Sequence, residues 1–427
     1  MTVPLLEKRI GIEVYATKSQ GIGGKLRHFP EDFKVEEILT NGSTAKIEPN
    51  NMPIITGHGR YLIHVLVKCN VDTFQAVQIV ANKLGINVER IQIGGIKDAK
   101  ALTAQHISVS RMLPEQATQI KTTSLWVYPL LFSNEKMDSS MLFGNNFHIN
   151  IRAINHPASA ITKRLENVNR NLLKLGGCPN FFGHQRFGTI RAITHLVGKD
   201  ILLGEWEKAA LTFLAKPSVL ERPESRQARQ QLWNTQDYES ALRYFPPRLV
   251  YERQMLKHLA QQHRDFIGAF HRLPIKLCQL FIQAYQSYLF NRFLSQRIMH
   301  GLPLKKPRAN EYRLTIDSRE HVALPLIGYR QGISGGLQGE IEKTLLEEEV
   351  VPPDKFKIPA MPRISSSGGV RTALTEVIDL HLERPSRDET NISRKKIGPS
   401  FTLRKGSYAT VVLREFMKPR NPVKAGF

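Results

Sequence analysis

Gly94-Gly95-Ile96-Lys97-Asp98-Ala99-Lys100-Ala101-Leu102-Thr103-Ala104-Gln105 is the stretch from which the rest of the chain can be ordered. A short β-rich run, Ile91 to Ile93, ends ahead of it. The two glycines permit an unusual backbone and read as a tight turn. A carboxylate flanked by Lys97 and Lys100 follows, and nearby cations favour its ionised form. An ionised carboxylate in a cationic pocket suits a nucleophile or a general base. An Asp in a glycine turn is also ordinary turn chemistry, so the segment needs support from its surroundings.

Upstream, Tyr61 to Val67 has strand character. A helix capped by Asp72 or Thr73 is expected next, with Phe74, Val77, Val80 and Leu84 apolar and Gly85 as its stop. Downstream, Phe147, Ile149 and Ile151 alternate with His148, Asn150 and Arg152, the period of a half-buried strand. Ile161, Leu165, Val168 and Leu172 line one side of a helix that ends at Gly176-Gly177. The chain closes on a β-rich run, Tyr408 to Leu413, which reads as a strand.

The middle differs. From about Glu205 to about Thr372 the pattern is mainly helical and polar, punctuated by Pro246-Pro247, Pro352-Pro353 and Ser365-Ser366-Ser367-Gly368-Gly369. A long helix is expected from Ile275 to Ile298, with Leu280, Phe281, Ala284 and Tyr288 as its core stripe. Glu347-Glu348-Glu349 reads as a solvated acidic face. The simplest organisation is one α+β domain built from both ends of the chain, 1–205 and 377–427, with a second domain, 206–376, inserted.

Composition narrows the partners. Of 427 residues, 60 are Lys or Arg and 38 Asp or Glu, a net charge of +22. Such a field repels itself, and an anionic partner relieves it. Nucleic acid is the leading candidate, through phosphate neutralisation and counterion release. The segment Asn391 to Phe427 alone holds nine basic residues and one acidic. With 41% hydrophobic residues the chain can build ordinary cores, so disorder is excluded as its main state. No apolar run approaches the ~20 residues of a membrane span, and the charged Glu7-Lys8-Arg9 follows too soon for a signal peptide. Cys69, Cys178 and Cys278 are an odd, widely spaced set, which suggests a reducing compartment and small buried hydrophobes. No Cys-x-x-Cys pair and no cluster of carboxylates or histidines at ligand spacing appears, so no metal is expected. Gly21-Ile22-Gly23-Gly24-Lys25 lacks the earlier glycine and the Ser/Thr of a phosphate loop. His106 and His184 are isolated and read as structural.

Two more segments carry candidate chemistry. Pro179-Asn180-Phe181-Phe182-Gly183-His184-Gln185-Arg186-Phe187-Gly188 sets three aromatics, an amide and an arginine between glycines. Aromatics there can stack on unpaired bases, with Asn180 and Arg186 on phosphate or base edges; the same aromatics can equally pack a core. Arg27 precedes His28-Phe29-Pro30-Glu31-Asp32-Phe33, where Phe33 and Val35 begin a strand, and could pair with a carboxylate elsewhere.

Taken together, four segments resemble the TruD family of tRNA pseudouridine synthases, in an archaeal-like form. They are Pro30-Glu31-Asp32-Phe33; Gly95-Ile96-Lys97-Asp98 with Thr103 and Gln105; Asn180 to Gly188; and Phe401-Thr402-Leu403-Arg404-Lys405-Gly406-Ser407-Tyr408-Ala409-Thr410 with Leu413-Arg414-Glu415. Their order and spacing span nearly the whole chain, and Gln286-Ser287-Tyr288-Leu289-Phe290-Asn291 adds a fifth match in the middle. The departure is Arg404, where the family pattern has proline or another apolar residue.

The resemblance implies a fold: a catalytic domain with a mixed, mostly antiparallel sheet flanked by helices, plus an inserted, mainly helical α/β domain, with a basic cleft between them. It implies conversion of a uridine to pseudouridine at position 13 of tRNA, in the cytoplasm, without cofactor, metal or membrane. The family's essential aspartate falls on Asp98, its partner base on Arg27, the active-site amide on Asn180 and the aromatic against the target base on Phe182. Lys97, Gln105, Arg186 and Phe187 complete the expected substrate contacts, and a monomer is the expected form. Two other readings remain open: a family member acting at other RNA sites, and a catalytically silent RNA-binding factor.

Overall fold

The computed structural model describes residues 2–49, 55, 58–118 and 120–427. Strands β1 (Phe33–Leu39), β2 (Tyr61–Cys69), β3 (Ile91–Ile93), β4 (Leu102–Ser110), β5 (Leu125–Ser133) and β6 (Leu142–Ile149) join Ile378–Leu382 and Pro399–Arg404 in an eight-stranded mixed sheet. Its order is Ile378–Leu382, Pro399–Arg404, β6, β1, β4, β2, β5, with β3 pairing to β4. β1 and β4 run parallel, whereas the other pairs are antiparallel. β4 is buried from Leu102 to Val109 because β1 and β3 share one of its edges, β2 takes the other, and both faces are covered.

The helix Thr73–Leu84 lies on the face carrying Leu66, Ile107, Val109 and Val127. Asp72 caps it, accepting from the backbone N–H of Phe74 and Gln75, and Gly85 stops it in the left-handed conformation at φ +63°. The helix Ala158–Leu175 buries Ile161, Leu165, Val168 and Leu172 as expected and stops at Gly176. One apolar cluster then runs without a break from Phe33 and Phe147 through Phe181 to Phe281 and Phe290. The core of the sheet and that of the helical middle are therefore continuous.

That middle contains helices Trp206–Ala215, Pro223–Thr235, Tyr238–Tyr244, Val250–Gln261, Phe266–His271, Ile275–Met299 and Gly336–Glu349. It also holds a three-stranded sheet, Arg313–Ile316, Arg319–Leu326 and Gly369–Thr372, so it is less purely helical than its composition suggests.

Several local expectations change. Tyr408 to Leu413 is not a strand: a helix spans Ala409–Met417, and every one of its residues is buried. The helical cost of Val411 and Val412 is a few tenths of a kcal/mol each. Packing decides the matter, and Arg414 closes it with ion pairs to Glu7 at 2.9 Å and Glu415 at 3.0 Å. Gly94 and Gly95 make no left-handed turn. They keep space, since a Cβ on Gly94 would come within 2.8 Å of Leu142 Cδ2. The Phe147–Ile151 alternation breaks at Asn150, whose N–H bonds the Asp32 carbonyl, and Ile151–Ile154 joins a separate small sheet. The helix Ile275–Met299 has no simple stripe: Leu280 and Tyr288 are only half-buried, while Gln286, Asn291 and Arg297 are buried. Glu349 is no solvated acid either. It accepts Lys199 at 2.6 Å, Tyr288 Oη at 2.9 Å and Arg292 at 3.0 Å. Cys178 and Cys278 are buried, but Cys69 is half-buried with its thiol toward Glu31.

The helix Thr194–Leu202 crosses Ile275–Met299 at Gly198, where any Cβ would overlap the Phe281 carbonyl oxygen. Gly198→Ala must push the two helices apart. It should lower unfolding free energy by about 1–3 kcal/mol, read by urea denaturation; an unchanged midpoint would show that the crossing tolerates the methyl.

Candidate active site

A parallel register puts the beginnings of both strands at the same end of a sheet. Here Lys34 pairs with Leu102, Val35 with Thr103 and Glu36 with Ala104. The segments that precede β1 and β4 therefore emerge side by side, and they carry Arg27 and Asp98. Arg27 Nη2 lies 3.0 Å from Asp98 Oδ2, with the arginine side chain 11% and the aspartate 35% exposed. The guanidinium sits 4.0 Å over the Phe33 ring and donates from Nη1 to the Gly426 carbonyl at 2.8 Å. Arg27 adopts φ +53°, a left-handed backbone that a non-glycine residue enters at a cost. The bonds of Lys25 N–H to Arg152 O and of Leu26 N–H to Ala425 O, each 2.8 Å, hold the approach to it.

The Asp98 loop is fastened from below. The Thr73 hydroxyl accepts from Lys97 N–H at 3.0 Å and donates to Lys97 O at 3.1 Å. Lys97 is buried with its ammonium held by Glu37, and it also borders the cavity beside Asp98. Glu37 also accepts the backbone N–H of His106 at 2.9 Å and meets its ring Nδ1 at 3.2 Å, which gives His106 a structural place. Burial pushes the Glu37 carboxyl up, but the His106 bond and the Lys97 charge outweigh it, and its pKa falls below the usual carboxylate value. Gln105 is fully buried and donates to the Gly95 carbonyl at 3.2 Å. It braces the loop rather than bordering open space, because β4 is covered on both faces. Above the loop is a cavity of about 410 Å³, lined by Phe33, Asp98, Asn145, Phe147, Gln185 and Tyr408 among others.

Asn180 and Phe182 form a second cluster. Asn291 grips the Phe182 backbone, accepting its N–H at 2.8 Å and donating to its carbonyl at 3.1 Å. Arg371 donates to Asn180 Oδ1 at 2.5 Å, to Asn180 O at 3.0 Å and to Gly406 O at 2.9 Å. Its guanidinium lies 4.1 Å from the Phe182 ring centre, and burial lowers its pKa to about 10. Arg186 bonds Ser287 at 3.2 Å and Gln283 at 3.1 Å, with its guanidinium 5.7 Å from Phe182. Phe187 has no exposed surface and meets His195 edge-on, so it belongs to the core and not to a base-stacking face. His184 is buried beside Glu7, as a structural residue would be.

Asn180 borders a larger cavity of about 910 Å³ between the main sheet and the three-stranded sheet. Lys305, Lys306, Arg319, His321, Arg404 and Lys405 line it, and Ser407 borders both this cavity and the Asp98 one. Arg404, the departure from the family pattern, pairs across this space with Asp317 and lies 4.8 Å over Phe143. Of the basic closing segment, only Arg404 and Lys405 border the space. Arg414 and Lys418 are buried and held by Glu7, Glu415 and Thr17.

Arg371 and Tyr408 were not legible as site residues. Arg371 follows the Ser365–Gly369 run, read only as punctuation of the middle, and Tyr408 opens a segment that reads as a strand.

The family described as "tRNA pseudouridine synthase D (TruD)" matches residues 9–319 and 308–416. The probable tRNA pseudouridine synthase D of Methanosarcina barkeri is 37% identical over 98% of this chain and 98% of its own length. That of Methanopyrus kandleri is 39% identical over 86% of this chain and 88% of its own. The crystal structure of the Methanosarcina mazei protein designated a tRNA pseudouridine synthase D superposes with a TM-score of 0.80 at 35% identity, covering 99% of this chain and 100% of that one.

Glu37→Gln leaves Lys97 buried without its anion and should cost about 3 kcal/mol at pH 7. Because the folded carboxyl titrates below the ordinary 4.5, the wild type's advantage is full above that pH. It is lost as pH falls from there through the lowered folded value. Urea titrations at pH 7 and at pH 4 and below should show the gap narrowing; a gap independent of pH would remove Glu37 from this account.

Proposed function

This chain belongs to the tRNA pseudouridine synthase D (TruD) family, and we propose that it isomerises the uridine at position 13 of tRNA to pseudouridine, with Asp98 as the nucleophile. The observation that carries this reading is the Arg27–Asp98 pair at 3.0 Å, with Asp98 bordering an aromatic-walled cavity. In the reaction the N1–C1′ bond of the nucleotide breaks and a C5–C1′ bond forms, while the hydrogen on C5 is lost and N1 gains one. A base inside a folded RNA must leave its stack to be turned over, and Phe33, Phe147 and Tyr408 offer apolar walls to a flipped uracil. Arg27 aims the carboxylate and sets a counter-charge beside it, as a carboxylate nucleophile requires.

We assign the catalytic role to residues 1–205 and 377–427, and substrate docking to 206–376. The larger cavity joins the two, and its lysines and arginines suit phosphates on either side of the flipped nucleotide. Asn180, held by Arg371 and Thr372, stands at its border. Among the described residues no helix is long and apolar enough to cross a membrane. A cytoplasmic setting, as for other tRNA modification, is part of the proposal.

Asp98→Ala should retain tRNA affinity within about twofold and release no tritium from 5-tritiated uridine in tRNA. Full release from that variant would end the catalytic assignment. For the cavity, the Lys305→Ala/Lys306→Ala double variant should flatten the slope of log K against log salt for tRNA by about 1 for each phosphate it no longer neutralises. An unchanged slope would place the RNA elsewhere.

A further inference from the structure

Lys68 stands on β2 with no exposed surface. Its ammonium donates to the backbone carbonyl of Asp98 at 2.7 Å and to that of Val71 at 2.9 Å. Among the described residues no carboxylate forms an ion pair with it. Taking an ammonium out of water costs several kcal/mol unless a counter-charge offsets it. The consequence is visible in its titration: desolvation lowers the Lys68 pKa to about 8, against the attraction of Asp98 and Asp72. An apolar side chain of similar length would fill this place between β4 and β5 without that cost. What it could not do is tie the Asp98 carbonyl, in a stretch that has no regular structure of its own, residues 94–101, to the Val71 carbonyl at the end of β2.

We propose that Lys68 is a positioning residue for Asp98. It fixes the Asp98 peptide from inside the sheet, while Arg27 fixes the carboxylate from the segment ahead of β1. The remaining fastenings hold neighbours instead: Thr73 takes the backbone of Lys97, and Gln105 takes that of Gly95. Residue 98 itself is therefore anchored at both ends by cations, one at the main chain and one at the side chain. The buried cation adds a fixed positive field beneath a group that must react as an anion. This inference rests on the reading of Asp98 as the reacting group.

The test compares Lys68→Met, which keeps length and removes the donor, with Lys68→Gln, which returns a neutral donor. Single-turnover rates at saturating tRNA, tRNA affinity, melting temperature and amide exchange of loop 94–101 are measured on each full-length variant. Lys68→Met should lose about 100-fold in saturating rate with tRNA affinity within about twofold, and its loop should exchange faster while the helix Thr73–Leu84 is unchanged. Lys68→Gln should recover part of both the rate and the protection. Rate and affinity falling together, or a folded Met variant within about threefold of wild type, would overturn the role. If the Met variant does not fold, the Gln variant is judged by the same criteria. Failure of both to fold assigns Lys68 to core stability alone and also overturns the proposal. Wild-type protein without activity would instead overturn the functional reading, while loop exchange still reports on the anchoring.

Discussion

The parallel pairing of β1 with β4 is the constraint on which the rest of the candidate site depends. Parallel neighbours cannot be joined by a hairpin, and here the crossover runs through β2, the helix Thr73–Leu84 and β3. In exchange, the chain entering each strand arrives at the same sheet end. Two irregular segments separated by some seventy positions meet there, and Arg27 reaches Asp98. An antiparallel pairing of the same strands would place one of these residues at the far end of the sheet.

Holding that meeting point takes several desolvated charges. Arg27 sits in a strained backbone under bonds from Arg152, Ala425 and Gly426. Lys97 is neutralised by Glu37, Lys68 is buried beneath the loop, and Arg371 clamps Asn180 against Phe182. The +22 charge thus divides into two populations. Some cations are interior and organise loops that lack regular structure. Others, such as Lys305, Lys306 and Lys405, are left to face the large cavity. Only the second kind can release counterions on binding a polyanion. Net charge therefore overstates the binding surface.

Legibility followed periodicity. The helices Thr73–Leu84 and Ala158–Leu175 were readable with their ends, because each has one buried face and a glycine stop. The reading failed where burial is all-round. In Ala409–Met417 every residue is buried, so the 3.6-residue period vanishes and the β-branched pair at Val411 and Val412 misleads. In Ile275–Met299, Gln286 and Asn291 are buried because they satisfy backbone groups of Ile327, Ile10 and Phe182, a demand that no local pattern announces. Of the residues expected at the candidate site, Arg27 and Asp98 meet and Asn180 borders the larger cavity, whereas Phe187 lies in the core and Gln105 braces the loop; the contacts of Arg371 and Tyr408 there have no local signal in the sequence.

The sequence by itself determined the family, the mixed α+β class, the net positive charge and the acid around which a site could form, since these depend on residue types in order. Which cation meets which anion was decided only in three dimensions. Lys97 is next to Asp98 in the chain yet belongs to Glu37, while distant Arg27 takes its carboxylate and Lys68 its peptide. The reason is geometric. Register and burial set the distances between charged groups, and an ion pair in a low-dielectric interior is governed by those distances rather than by separation along the chain.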